Sequence, residues 1–180
     1  MVDFLTYDDL LSIKKDLNES IILRSAKGFA GKNVFLSYSS EDSDLVVSAI
    51  QVLQGHGGAV YLDRGDMSLP QTPSPETARI LRDAIGFTRK LVVFVSTHSK
   101  NSRWVPWELG VGDGLKGSRS VSLFPVADFK HEQAWAEVEY LGLYRRIVWG
   151  RFEGKSKSEW LVWDHHTNIA EPLAAWISDR

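Results

Sequence analysis

A carboxylate and an indole stand four residues apart in the stretch Ser96-Thr97-His98-Ser99-Lys100-Asn101-Ser102-Arg103-Trp104-Val105-Pro106-Trp107-Glu108-Leu109-Gly110. The stretch follows the strongest strand signal in the chain, Leu91-Val92-Val93-Phe94-Val95, and turns from polar to amphipathic at Ser102. Ser102 is a suitable N-cap, and Pro106 falls in a first turn where its missing N–H costs no hydrogen bond. Val105, Leu109 and Gly112 then recur as a stripe that can lie on a sheet, and Trp104 and Glu108 share the neighbouring face. A helix packed on a sheet has little reason to keep a carboxylate beside an indole unless a ligand meets both. A carboxylate there can orient hydroxyls and stabilise positive charge that develops during a reaction.

These side chains need a scaffold. At 180 residues the chain is one domain by length, with ordinary globular composition of 43% apolar and 24% charged residues. A formal charge of −2 gives no basic footprint, so a nucleic-acid partner is not expected. With no cysteine there can be no disulfide, thiolate zinc site or cysteine nucleophile. No apolar run is long enough to span a membrane and the start lacks a signal-peptide pattern, so a cytoplasmic protein without membrane contact is expected. Asp164-His165-His166 suggests a metal only superficially, because adjacent histidines are expected to face different ways and no second ligand cluster is apparent.

Residues 6–24 read as one amphipathic helix, with Thr6 and Asp9 as a capping-box-like start and Leu10, Ile13, Leu17 and Ile21 as its apolar stripe. A Gly-containing linker follows to Lys32. Strands are expected at Val34–Tyr38, Ala59–Leu62, Leu91–Val95, Val121–Val126 and Arg145–Trp149, the last at an edge because it is short and carries two arginines. Helices are expected between them: the stripe Leu45, Val46, Ala49, Ile50 and Leu53, then Glu76–Gly86, then the Glu108 helix, then Gln133–Leu143 as helix or turn. Asn168–Ile177 reads as a closing helix. Residues 112–117 match GxGxxG, but a helix precedes them and a strand follows, the reverse of a dinucleotide site.

Strands alternating with helices give right-handed βαβ units around a parallel sheet. The expected fold is α/β and flavodoxin-like, three-layered, with five parallel strands in the order 2-1-3-4-5, helices on both faces, and N- and C-terminal helical extensions. Residues 1–32 form the N-terminal helix and linker, 33–149 the central domain, and 150–180 an extension packed on it. Ligands of such sheets bind where neighbouring connections leave for opposite faces, here between the first and third strands. The loops that meet there are Tyr38–Asp42 and Ser96–Ser102, and the Pro-rich loop Asp63–Pro75 can lean over the same crevice.

Two motifs resemble a known family. Val34-Phe35-Leu36-Ser37-Tyr38-Ser39-Ser40-Glu41-Asp42 is similar to box 1 of Toll/interleukin-1 receptor (TIR) domains. The Ser-x-x-Ser-x-x-Ser-x-Trp-x-x-x-Glu pattern at 96–108 resembles the αC region of bacterial-type members. The resemblance covers roughly residues 33–149, and places Asp63–Pro75 at the family's BB loop without its common Pro-Gly pair.

The resemblance implies an enzyme that cleaves the nicotinamide–ribose bond of NAD+, with Glu108 as the catalytic glutamate. NAD+ is then substrate, and no permanently bound cofactor and no metal are required. Trp104 is expected as an apolar wall, Tyr38 and Ser39 as lining from the first strand, Arg64 as a phosphate contact, and Ser40, Asp63 and Ser99 as further substrate-binding residues. The product is ADP-ribose or a cyclic isomer. Self-association through TIR–TIR contacts and a separate effector that reads the product, as in bacterial antiphage defence, also follow from the resemblance. The alternative is a non-catalytic scaffold acting through TIR–TIR association. A receiver-like domain is disfavoured because no Asp ends the first or third strand, and a nucleoside deoxyribosyltransferase-like enzyme shares the same glutamate-and-ribose logic.

Overall fold

A computed structural model describes residues 2–14, 19–28, 30–63, 74–97, 102, 104–127 and 139–179. In chain order these form β1 (Val2–Asp3), β2 (Leu5–Thr6), α1 (Tyr7–Lys14), α2 (Glu19–Ser25), β3 (Val34–Ser37), α3 (Ser43–Gly55), β4 (Val60–Tyr61) and α4 (Pro75–Phe87). They continue with β5 (Lys90–Val95), α5 (Trp104–Lys116), β6 (Val121–Ala127), β7 (Arg145–Gly150), β8 (Glu159–Asp164), β9 (Ile169–Pro172) and α6 (Leu173–Ser178).

The central sheet runs β4-β3-β5-β6-β7-β8-β9. Its first five strands pair in parallel and reproduce the expected 2-1-3-4-5 order. β3, β4, β5 and β6 are buried on both faces, which is why they read in sequence as largely apolar runs. Alternate residues sort into two layers. Val34, Leu36, Val92 and Phe94 face α3 and α6, whereas Phe35, Leu91, Val93 and Val95 face α4 and α5. The α3 stripe (Val46, Ala49, Ile50, Leu53) and the α5 stripe (Val105, Leu109) therefore lie on opposite faces.

Of three expectations, two are corrected. Of the helix expected over 6–24, Tyr7–Lys14 (α1) and Glu19–Ser25 (α2) are helical, and residues 15–18 between them lie outside the described set. The Thr6–Asp9 capping box does form, with Asp9 N–H donating to Thr6 Oγ1 at 3.2 Å and Thr6 N–H to Asp9 Oδ2 at 3.0 Å. Second, β7 is not an edge: β8 pairs with it antiparallel from Arg146↔Trp163 to Gly150↔Glu159. The arginines that suggested an edge are answered by the hairpin. Arg145 pairs with Glu171 at 2.9 Å, and Arg146 sits over the Trp163 ring, 5.9 Å from its centroid. Third, the C-terminal extension is a β-hairpin followed by a short helix, rather than a single helix from Asn168. Asn168 takes a positive φ of 56° in the turn, a conformation Asn tolerates better than most residues.

The N-terminal strands occupy an unusual place. β6 and β7 share only the rungs Ser122↔Arg145 and Leu123↔Arg146. Pro125 follows, and a proline has no N–H to give a ladder. Beyond it, β2 pairs in parallel with β6 at Val126 and Ala127, and β1 pairs antiparallel with β7 at Trp149 and Gly150. Phe4 and Leu5 are buried in the process.

Gly112 sets how closely α5 approaches the sheet. A Cβ there would lie 2.2 Å from Leu91 Cδ2, while at Gly110, exposed on the same helix, it would meet nothing. Opposite signs are expected in denaturant unfolding. Gly110→Ala gains up to about 1 kcal/mol of helix propensity. Gly112→Ala gains the same but overpacks a filled core, and overpacking costs about 1–3 kcal/mol, so it ends about 1 kcal/mol less stable. Equal effects at both sites would refute the close packing.

Candidate active site

The chain leaves β3 toward α3 on one face of the sheet and leaves β5 toward α5 on the other. β3 and β5 are neighbours, so the crevice of a doubly wound sheet opens between their carboxyl ends. Ser102 starts α5 as expected, its Oγ accepting from Val105 N–H at 3.3 Å. One turn on, Glu108 is 1% exposed, and its Oε2 accepts a hydrogen bond from Ser37 Oγ at the last residue of β3. The glutamate is thus a buried group held across the switch point, not a solvated helix residue. Carboxylates are seldom buried without a partner or a task.

A second link crosses the same boundary. Asp42, 1% exposed, follows β3, and Ser96 Oγ follows β5 and lies 2.7 and 2.8 Å from its two carboxylate oxygens. Ser39 caps the 3-10 turn Ser40–Asp42 by accepting from Glu41 N–H at 3.4 Å. Ser39 therefore serves the turn, the Asp42 carboxylate ties it to Ser96 beyond β5, and Ser40 beside them is exposed. The next loop position along β5 is tied as well. Thr97 Oγ1 is 3.0 Å from Tyr7 Oη, and Thr97 N–H donates to the same phenol oxygen at 3.3 Å.

Of the other expected site residues, Tyr38 is buried against the layer that holds α1 and α3. Its neighbour Ser37 faces Glu108 on α5. Asp63 is buried just past β4. Trp104 is half-buried and meets Trp107 edge to face, ring centroids 5.3 Å apart at 89°. Trp107 in turn lies under Arg82, 6.0 Å from the ring centroid. Arg64 and Ser99 lie outside the described residues, as does most of the Asp63–Pro75 loop.

Sequence reasoning passed over Ser37, Ser96 and Tyr7. Ser37 and Ser96 were visible as polar residues closing apolar strands, a position that in this fold class faces the ligand crevice. Tyr7 gave no signal, since its partner is 90 residues away.

His165 and His166 do come together, against expectation, with ring centroids 3.9 Å apart. They stand in the turn after β8, where Asp164 Oδ1 accepts from the N–H groups of His166 and Thr167, so strand alternation does not separate them. No group of three potential metal ligands occurs among the described residues. Among them, too, no helix is long and apolar enough to cross a membrane.

The doubly wound parallel sheet agrees with the family comparison. The chain belongs to the TIR domain family, whose model matches residues 34–160. It is 33% identical over 135 residues to a Bacillus cereus (strain MSX-D12) protein named Probable 3' cyclic ADP-D-ribose synthase ThsB', covering 74% of this chain and 68% of that one.

Proposed function

We propose that this protein cleaves the bond between nicotinamide and ribose in NAD+ and closes the ADP-ribose into a cyclic product. The observation that carries the reading is the burial of Glu108, held by Ser37, in the crevice where this fold takes its ligands. Nicotinamide leaves NAD+ as a neutral molecule, so neither a metal nor a strong acid is needed. Positive charge grows on the ribose as the bond breaks, as in other glycosidic cleavages. A carboxylate accepting from the ribose hydroxyls orients the sugar and offsets that charge, and the low dielectric around a buried glutamate strengthens the effect. Trp104 supplies the apolar wall. Attack by a second nucleophile of the same molecule gives a cyclic product, and attack by water gives ADP-ribose. The name of the Bacillus cereus relative favours the cyclising outcome.

Tyr38, Ser39, Ser40, Asp63, Arg64 and Ser99 are the further proposed substrate contacts. The biological reading is a cytoplasmic signal generator of antiphage defence, self-associating through its TIR surfaces, whose product a separate effector detects. Incubation of concentrated protein with NAD+, followed by chromatography, tests the chemistry. Nicotinamide together with a cyclic ADP-ribose isomer is expected. ADP-ribose as the sole sugar product would leave the bond cleavage standing and remove the cyclase, and an absence of nicotinamide would remove both.

Ser37→Ala probes the support of the glutamate. A hydrogen bond to a charged group contributes about 1.5–3 kcal/mol. Its loss lets the carboxylate shift within the crevice, and turnover of NAD+ is expected to fall about tenfold or more. Full activity in this variant would mean that Ser37 does not set the position of Glu108.

A further inference from the structure

We infer that Tyr7, outside the family-matched region, is a positioning residue for the site, fixing the start of the loop that joins β5 to α5. The inference rests on the reading of this crevice as the NAD+ site. Thr97 is the first residue of that loop beyond Ser96, and its backbone and side chain both meet one phenol oxygen, at 3.3 and 3.0 Å. A phenol can donate to the threonine hydroxyl while it accepts from the amide, so a single group holds two atoms of the same residue. Holding both fixes the direction in which the chain departs, as well as its position.

The holder is itself well anchored. The Thr6–Asp9 capping box starts α1 immediately beside Tyr7. Leu10 is fully buried, and its carbonyl accepts from Ser48 Oγ of α3 at 2.7 Å. On the other side, β2 is hydrogen-bonded into the sheet at Val126 and Ala127. The phenol is therefore referenced to the sheet and to α3, and transmits that reference to the β5 loop. Ser96, bound to Asp42, anchors the same loop to the β3 side. Glu108 has its own anchor in Ser37. Loss of the Tyr7 hydroxyl should thus leave the reacting carboxylate in place while loosening a wall of the substrate crevice.

That separation defines the experiment. Tyr7→Phe keeps the ring and its packing but removes the oxygen. In the full chain, KM for NAD+ is expected to rise about five- to tenfold with kcat changed less than twofold. Thr97→Val should raise KM by a smaller factor, because it leaves the amide bond intact, and the double variant should be no worse than Tyr7→Phe alone. Amide hydrogen exchange supplies a readout independent of turnover: Thr97 N–H should exchange at least tenfold faster in Tyr7→Phe. A variant with a lower Tm but unchanged KM would assign Tyr7 a purely structural role and overturn the inference, as would unchanged exchange at Thr97. A wild type that does not turn over NAD+ would sink the enzymatic reading instead, and the exchange measurement would then decide alone whether Tyr7 fixes the loop.

Discussion

Glu108→Gln is expected to lower nicotinamide release from NAD+ by at least about a hundredfold, with little change in the fold. Glutamine has nearly the same size and keeps an oxygen that can accept from Ser37 Oγ. What it lacks is charge. Deleting one preorganised electrostatic contact to a transition state costs roughly 10²–10³ in rate, and a full negative charge beside a developing oxocarbenium ion belongs at the upper end. The burial of the site works in the same direction: at 1% exposure, little water is at hand to replace the missing carboxylate. Nicotinamide measured by chromatography at high protein concentration checks the rate, and the thermal unfolding curve checks that the fold is retained. Retained activity would remove Glu108 from the chemistry and would favour a water-activating or purely binding role for the crevice.

Trp176→Ala is expected to be the most destabilising single change considered, costing about 3–5 kcal/mol. At roughly 2–4 °C per kcal/mol for a chain of this size, Tm should fall by about 10 °C. Trp176 is 1% exposed, its indole N–H donates to the carbonyl of Arg119 at 2.9 Å, and the Lys90 ammonium lies 5.0 Å from the ring centroid. Lys90 is itself buried, and burial holds its pKa below the ordinary lysine value. The ring face therefore compensates part of the cost of a poorly solvated cation, together with Asp179 at 4.0 Å. Trp176→Phe, which keeps an aromatic face but loses the N–H, should cost about half as much. A loss below about 1 kcal/mol in the alanine variant would mean that α6 contributes little, even though it lies beyond the family-matched residues 34–160.

The strands β3 to β6 were legible because they are sealed on both faces, so composition alone exposes them. The α5 stripe was legible because Val105, Leu109 and Gly112 all turned inward. β8 was overlooked although Glu159–Asp164 is rich in Trp, Leu and Val. Its outer residues are only half-buried, and charged residues bound the run, so the sequence assigned it no element. β1 and β2 are two residues each, too short for any periodicity to declare itself. At the site, topology and the TIR resemblance converged on Glu108 and Trp104. Ser37 escaped because a serine at the end of a strand looks the same whether or not a carboxylate waits opposite. Such partnerships are created by the fold, and no local pattern announces them.

The insertion of β1 and β2 between β6 and β7 has a consequence for how the molecule is made. β1 and β2 leave the ribosome well before β6 and β7, the strands that receive them. Pairing across so much intervening chain is slow to nucleate, because loop closure must be accomplished before any rung is gained. Until then Phe4 and Leu5 are exposed apolar groups beside unpaired strand ends, a combination that invites association with other nascent chains. The crevice end of the sheet thus closes only after β6 and β7 have been synthesised.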